Sequence, residues 1–259
     1  MLRTCLVILR RANYDRVVRR LVVVALAVAA VCLPATAGAI TYGQPDGTQH
    51  PMVGALVGTF DDGTYTYCSG SLVSPTTLVT AAHCEEGNTV CVTFDERYTS
   101  HSKLVCGAWH ASTVDDIAVV VFSKAVQGIT PAVLPALGLL DSLKAQGALA
   151  GATFTTVGYG AFAPTRGPGG YSYTYPDARY SVVGTFSSLQ RSYLQVSQNP
   201  VLGDGGSCFG DSGGPIFRGS STTAVALVTT GDVVCRATNV GLRLDTPSVR
   251  DFLAPYLSS

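Results

Sequence analysis

The chain has 259 residues, with 17 basic and 17 acidic side chains, and charged residues make up only 13% of it. Six arginines and one aspartate lie within the first 39 positions, so residues 40–259 carry a formal charge near −5. This balance argues against nucleic acid as a partner, because a phosphate backbone calls for a basic surface. Low charge, abundant Gly, Thr, Val and Tyr, and short apolar runs broken by Gly and Pro favour a β-rich fold with one or two packed cores.

The first 39 residues show the three regions of a secretory signal peptide in order. Arginines crowd the beginning, an apolar run spans 21–33, and small residues stand at Ala37 and Ala39. The run is too short to cross a bilayer. We therefore expect cleavage after Ala39, export, and a secreted chain without a membrane anchor. Two adjacent arginines before the run leave the twin-arginine route open beside general secretion.

Eight cysteines are present, and six of them follow the expected cleavage point. In an exported protein an even number of cysteines is expected to form disulfides, here up to three. Neither a C-x-x-C nor an H-x-x-x-H spacing occurs, so a zinc site has no support and no metal is expected. The six cysteines are Cys68, Cys84, Cys91, Cys106, Cys208 and Cys235.

The segment from Cys68 to Cys84 has the pattern of a β-hairpin that ends in a histidine. Two apolar stretches flank a turn at Ser74-Pro75, and His83 follows the second stretch. A histidine at such an exit is available as a general base. Structural roles are expected for the other three histidines, His50, His101 and His110.

A pair of acidic residues, Asp115 and Asp116, comes directly before the apolar segment 117–121. Either the pair is solvated, or one carboxylate is held at the buried start of a strand. The following segment, 128–138, carries prolines that exclude a helix or a central strand. We expect it to connect two halves of the fold.

The stretch Gly205 to Pro215 reads Gly-Gly-Ser-Cys-Phe-Gly-Asp-Ser-Gly-Gly-Pro. So many glycines around one serine predict a turn, not a helix or a strand. Free backbone amides beside a serine can stabilise an oxyanion, which makes Ser212 the candidate nucleophile. The stretch also fits the nucleophile elbow of α/β-hydrolases, but in that family the histidine follows the serine, and no histidine lies beyond Ser212.

An apolar segment, 224–230, follows this turn and is expected to form a strand. The chain then ends in a pattern typical of an amphipathic helix, with Pro247 near its first position. Pro255 is expected to kink or end that helix.

Three separated motifs resemble the trypsin/chymotrypsin-like serine peptidase family, in its order of histidine, aspartate and serine. They are Thr-Ala-Ala-His-Cys at 80–84, Asp-Ile-Ala at 116–118 and Gly-Asp-Ser-Gly-Gly-Pro at 210–215. The resemblance implies two packed antiparallel six-stranded β-barrels with a C-terminal α-helix, here divided into 40–134 and 135–259. It also implies His83 as general base, Asp116 as the acid that orients it, Ser212 as nucleophile, and the amides of Gly210 and Ser212 as the oxyanion hole.

The same resemblance implies two disulfides, Cys68 to Cys84 and Cys208 to Cys235. Cys91 and Cys106 have no counterpart in the family pattern and are left to pair with each other. Ile40 resembles the family's N-terminal isoleucine, whose ammonium pairs with the aspartate before the nucleophile, here Asp211. Alternatively, local backbone amides satisfy Asp211.

The resemblance further places a substrate pocket at Gly206, Ser207, Thr229, Thr230 and Gly231. Trypsin-like members have an aspartate where this chain has Gly206, so we expect an uncharged, most often apolar P1 residue. The loop 161–180 is expected either to rim the cleft or to pack on itself.

The sequence therefore predicts a secreted, monomeric serine endopeptidase that acts on protein or peptide substrates, needs no cofactor, and is open to protein inhibitors. A secreted binding protein on the same fold and an esterase with the same triad are the alternatives, because fold alone does not fix activity.

Overall fold

The computed structural model describes residues 42–162 and 164–257. The expected signal peptide and Ile40 lie outside these residues. The described part holds two α-helices, α1 (Leu139–Ala145) and α2 (Pro247–Leu257). Its strands are β1 (Gln44–Pro45), β2 (Val53–Phe60), β3 (Gly63–Ser74), β4 (Thr77–Thr80), β5 (Thr89–Thr93), β6 (Val105–Ala111), β7 (Ala118–Phe122), β8 (Thr153–Gly158), β9 (Thr165–Gly167), β10 (Gly170–Ser172), β11 (Tyr180–Leu189), β12 (Tyr193–Ser197), β13 (Pro215–Arg218), β14 (Ala224–Gly231) and β15 (Thr238–Arg243).

Six strands, β2 to β7, close into the first barrel in the order β2-β3-β4-β7-β6-β5, with every pair antiparallel. Closure leaves no free strand edge and encloses a continuous apolar core. Leu56, Leu72, Leu78, Ile117 and Val119 are fully buried in it. The predicted hairpin is β3 and β4, joined by a short turn at Pro75 and Thr76.

The second barrel follows the order β8-β11-β12-β15-β14-β13, and β13 pairs with β8 to complete the ring. Its core is a separate cluster that includes Phe154, Leu194, Ile216 and Val225. Together the barrels confirm the predicted fold of two closed six-stranded antiparallel barrels with a C-terminal helix. The hairpin of β9 and β10 extends from the second barrel as an exposed loop.

Both ends of the described chain cross to the other barrel. Strand β1 pairs with β11 of the second barrel. Helix α2 packs against the first barrel, where Val249 and Leu253 are buried, and the Thr77 hydroxyl donates to the Tyr256 carbonyl at 2.6 Å. Pro255 lies inside α2, and the helix continues to Leu257. The barrels are therefore held together by exchanged terminal segments as well as by their facing surfaces.

Helix α1 was not predicted by the sequence pattern. It has only seven residues and begins after Gly138, which has a positive φ of 68° and no side chain to cap a helix. Its cap comes from far along the chain, because the Asp245 carboxylate accepts the Leu140 amide at 2.7 Å. None of the helices that the structure describes is long and apolar enough to cross a membrane.

Candidate active site

The pairing of β4 with β7 places His83 beside Asp116. Thr80, the last residue of β4, is opposite Ala118, the first residue of β7. His83 follows β4 in a short 3₁₀ turn, Ala82–Cys84, and Asp116 precedes β7 by two residues. The antiparallel register therefore brings the two side chains to the same end of the first barrel.

Two hydrogen bonds join these residues. The His83 ring donates from Nδ1 to Asp116 Oδ2 at 2.8 Å, and its backbone amide donates to Oδ1 at 3.0 Å. Burial raises the pKa of Asp116, but the bonds from His83 outweigh it and hold that pKa below its usual value. An ionised Asp116 fixes the proton of His83 on Nδ1, so the lone pair of Nε2 faces away from the carboxylate. The His83 side chain remains 45% exposed.

The turn that carries Ser212 is bound to the first barrel through its backbone. The Ser69 amide, on β3, donates to the Ser212 carbonyl at 2.8 Å. The next residue, Gly213, has a φ of 81°, and a Cβ there would collide with Thr80 Oγ1 and the Ser69 carbonyl. Only glycine allows this close approach between the barrels. The Ser212 side chain itself makes no hydrogen bond to any residue in 42–162 or 164–257, and both Ser212 and His83 line one cavity.

The backbone amides of Gly210 and Ser212, in this turn, donate to no acceptor among the described residues. The carbonyl that shares a peptide plane with the Gly210 amide belongs to Phe209 and accepts from Ala161 at 2.7 Å. The Ser212 amide shares its peptide plane with the Asp211 carbonyl, which accepts a hydrogen bond from the Gly214 amide at 2.9 Å. Since N–H and C=O point in opposite directions across a trans peptide, each amide points away from the residue that its carbonyl contacts.

Ser69, which the sequence analysis did not single out, supports this turn. Its hydroxyl accepts from the Tyr159 amide at 3.0 Å and donates to the Gly210 carbonyl at 2.9 Å. One side chain of the first barrel thus connects two segments of the second. No local sequence signal identifies it, because both partners are about 90 or more residues away in the chain.

Asp211 is completely buried beside Ser212. Its carboxylate accepts the amides of Gly160 and Cys208, both at 2.8 Å, and contacts Gly158 and Gly160 so closely that a Cβ at either glycine would collide with it. Burial raises the pKa of Asp211 to about 7, although the two amides oppose the rise. No cation among the described residues contacts it, and the predicted partner, Ile40, lies outside them.

The cavity at the site has a volume of about 850 Å³. Of the predicted pocket residues, Ser207, Thr229, Thr230 and Gly231 line it. Gly206 is buried and does not line the cavity. No Lys or Arg of the described residues lines it, and the acidic residues that do are Asp62, Glu86, Asp177 and Asp232. The cavity therefore has a negative field.

The loop after β8 contributes to the cavity and also packs on the nucleophile turn. Tyr175 and Asp177 line the cavity. The Tyr173 ring packs edge-on against Phe209 at 4.9 Å, and its hydroxyl donates to the Val233 carbonyl at 2.7 Å. The loop therefore rims the cavity through Tyr175 and Asp177, and it packs on itself where β9 pairs with β10.

The six cysteines lie in the three pairs expected from the sequence, Cys68 with Cys84, Cys91 with Cys106, and Cys208 with Cys235. Cys91 and Cys106 are directly opposite each other on β5 and β6. The first pair holds the His83 turn to β3. Cys68, His83 and Cys84 also form a cluster of three potential metal ligands. Both cysteines of this cluster are joined in a disulfide, so neither offers a thiolate.

Comparisons with known proteins agree with this architecture. Three solved structures superpose over 84% of this chain: HL collagenase (TM-score 0.63, 18% identity, 98% of that chain), HBP (0.62, 16%, 96%) and GrC (0.63, 18%, 99%). At these identities the likeness is one of fold. A search of curated protein sequences found no match.

A scan against protein-family models matches the Trypsin family over residues 42–253. The match covers both barrels, the motifs around His83, Asp116 and Ser212, and most of α2. The chain belongs to the trypsin family of serine proteases.

Proposed function

We propose that this protein is a secreted serine endopeptidase that hydrolyses peptide bonds through a covalent acyl-enzyme. The observation that carries the proposal is the hydrogen bond from His83 Nδ1 to Asp116, at the edge of the cavity that Ser212 also lines. It leaves Nε2 of His83 as the only ring nitrogen free to accept a proton.

In the proposed reaction, Ser212 Oγ attacks the carbonyl carbon of the scissile bond while His83 Nε2 takes its proton. The negative oxygen that forms accepts from the amides of Gly210 and Ser212, which have no other acceptor among the described residues. The bond to nitrogen then breaks, and His83 returns the proton to the leaving amine. A water molecule, deprotonated by His83, attacks the acyl-enzyme and restores Ser212.

Substrates are proposed to be proteins or peptides with an uncharged P1 residue. The carboxylate of Asp232, which lines the cavity, already accepts the amides of Arg236, Ala237 and Thr238. A lysine or arginine at P1 would therefore lose its hydration without gaining Asp232 as a free carboxylate. We further propose that the signal peptide is removed after Ala39, that the enzyme acts as a monomer, and that protein inhibitors can occupy the same cleft.

Labelling with a fluorophosphonate tests the nucleophile. The secreted protein should gain one label, which peptide mapping should place on Ser212, and Ser212→Ala should gain none. Ser71→Ala is the matched control, because Ser71 is a buried serine of β3 whose hydroxyl makes no hydrogen bond to the described residues. An unlabelled wild-type protein would favour the binding-protein alternative. Turnover of simple esters without cleavage of peptides would favour the esterase.

A further inference from the structure

Gln198 is a fully buried residue directly after β12, close behind the wall of the cavity. Its backbone amide donates to the Ala237 carbonyl at 3.0 Å, which fixes the position of the residue. The motifs of the sequence analysis do not include it, and neither the nucleophile turn nor the His83 pair uses it.

The orientation of the Gln198 side-chain amide is fixed by Asp232. Nε2 donates to Asp232 Oδ1 at 3.0 Å. Reversing the amide would set two acceptor oxygens against each other, so the nitrogen must face Asp232. Oε1 then faces the other way and has no hydrogen-bond partner among the described residues.

This amide occupies the space that a side chain on Gly206 would need. A Cβ at Gly206 would collide with Gln198 Oε1, and a Cβ at Gly231 would lie 3.8 Å from Nε2. Gly206 directly precedes Ser207 and Cys208, which line the cavity, and Gly231 and Asp232 line it as well. The Gln198 side chain therefore lies between Gly206 and the segment of Gly231 and Asp232.

We propose that Gln198 is the specificity-determining residue of this site, because its side chain closes the inner end of the substrate pocket and makes the pocket short and neutral. The pocket then takes a short uncharged P1 side chain, such as that of Ala, Val or Thr. This inference rests on the proposed peptidase function.

Two physical reasons lead from the geometry to that selectivity. A long P1 side chain would have to displace a buried side chain that is hydrogen-bonded at Nε2 to Asp232, in an interior too densely packed to yield space. A cationic P1 side chain would find no free carboxylate at this end of the cavity, since Asp232 is already hydrogen-bonded to Gln198 Nε2 and to the amides of Ala237 and Thr238.

The test compares kcat/KM for peptides that differ only at P1, with Ala, Val, Leu, Phe and Arg. The unmodified enzyme should prefer Ala and Val. Gln198→Ala should raise the Phe-to-Ala ratio of kcat/KM by tenfold or more, because a single methylene in an apolar pocket changes selectivity by about 10- to 200-fold. Gln198→Met is the matched control: it keeps the length of the side chain without the amide and should keep the wild-type preference.

Each preparation is first titrated with the fluorophosphonate, so that rates refer to competent active sites. Wild-type protein that labels at Ser212 and cleaves peptides, with the same P1 profile in Gln198→Ala, would overturn the role of Gln198 and leave the peptidase function intact. Wild-type protein that neither labels nor cleaves would remove both. If Gln198→Ala does not fold, the P1 series on the unmodified enzyme decides, and a preference for Phe or Arg over Ala would overturn the inference.

Discussion

The two barrels each bring one aspartate to the site, and the two carboxyl groups are held in opposite ways. Asp116, at the end of the first barrel, is partly exposed and accepts two hydrogen bonds from His83, which hold its pKa below the usual value against the effect of burial. Asp211, in the second barrel, is completely buried with two backbone amides, and burial raises its pKa to about 7.

The difference shows that the degree of burial and the partner together decide the charge state of a carboxyl group. In the first barrel the His83 side chain, which can become cationic, stabilises the Asp116 carboxylate, and both members of this pair lie within the described residues. In the second barrel neutral amides offset only part of the desolvation. We therefore propose that the free ammonium of Ile40 completes the second pair, and that this half of the site needs correct processing after Ala39.

The largest effect is expected where the two halves meet, at His83 and Ser212. Ser212→Ala and His83→Ala should each lower kcat by about 10⁶, and the double variant should lose little more, because nucleophile and base act as a unit. Steady-state kinetics on one peptide substrate measure this. Near-normal activity in either single variant would show that the two halves do not work together.

Asp116→Asn tests the part of the active site that the first barrel supplies. The asparagine side-chain amide cannot hold the proton of His83 on Nδ1 as the carboxylate does. We therefore expect kcat to fall by about 10⁴, the size of the effect in other Ser-His-Asp triads. Asp115→Asn is the matched control, because the neighbouring carboxylate accepts from the Ser248 hydroxyl instead of from His83. Equal losses in the two variants would contradict the assignment of Asp116.

A form of the protein that keeps extra residues before Ile40 tests the part of the active site that the second barrel supplies. The pKa of Asp211 would stay near 7 in the folded extended form, against about 3.9 when unfolded, so folding binds a proton between these values. The free energy of unfolding should therefore fall as pH rises from about 4 to about 7. The mature form, with its ammonium paired, should lack this fall, as should an extended form carrying Asp211→Asn.

Denaturant unfolding at pH 5 and pH 7 measures how the free energy of unfolding changes with pH. Peptide hydrolysis measures how an unpaired Asp211 affects activity. Loss of one oxyanion donor costs about 10²- to 10³-fold in kcat, and we expect at least that loss in the extended form. Full activity with the extension in place would show that the two amides suffice for Asp211, as in the alternative from the sequence.

The smallest effect is expected at the connection between the halves. Ser69→Ala removes the hydroxyl that joins the Tyr159 amide to the Gly210 carbonyl, and leaves the buried Tyr159 amide and the half-buried Gly210 carbonyl unpaired. We expect kcat to fall about tenfold with little change in KM, because Gly210 orients the proposed oxyanion hole. Ser71→Ala, which removes a buried hydroxyl without a described partner, should leave kcat unchanged. A tenfold loss in both variants would mean that general packing, and not the Gly210 contact, is responsible.

Local patterns in the sequence predicted a β-rich fold and the terminal helix, and the resemblance of three motifs to the trypsin family implied the two barrels and the roles of His83, Asp116 and Ser212. These features depend on local patterns: alternating apolar residues specify strands, and His83, Asp116 and Ser212 each stand in a short motif at the end of a strand or in a turn. The tertiary structure decided the rest. Helix α1 needs a cap from Asp245, Ser69 acts through Tyr159 and Gly210, and Gln198 lies between Gly206 and Asp232 because the end of β12 is close to both. Each of these depends on contacts between segments far apart in the chain, which no local pattern encodes.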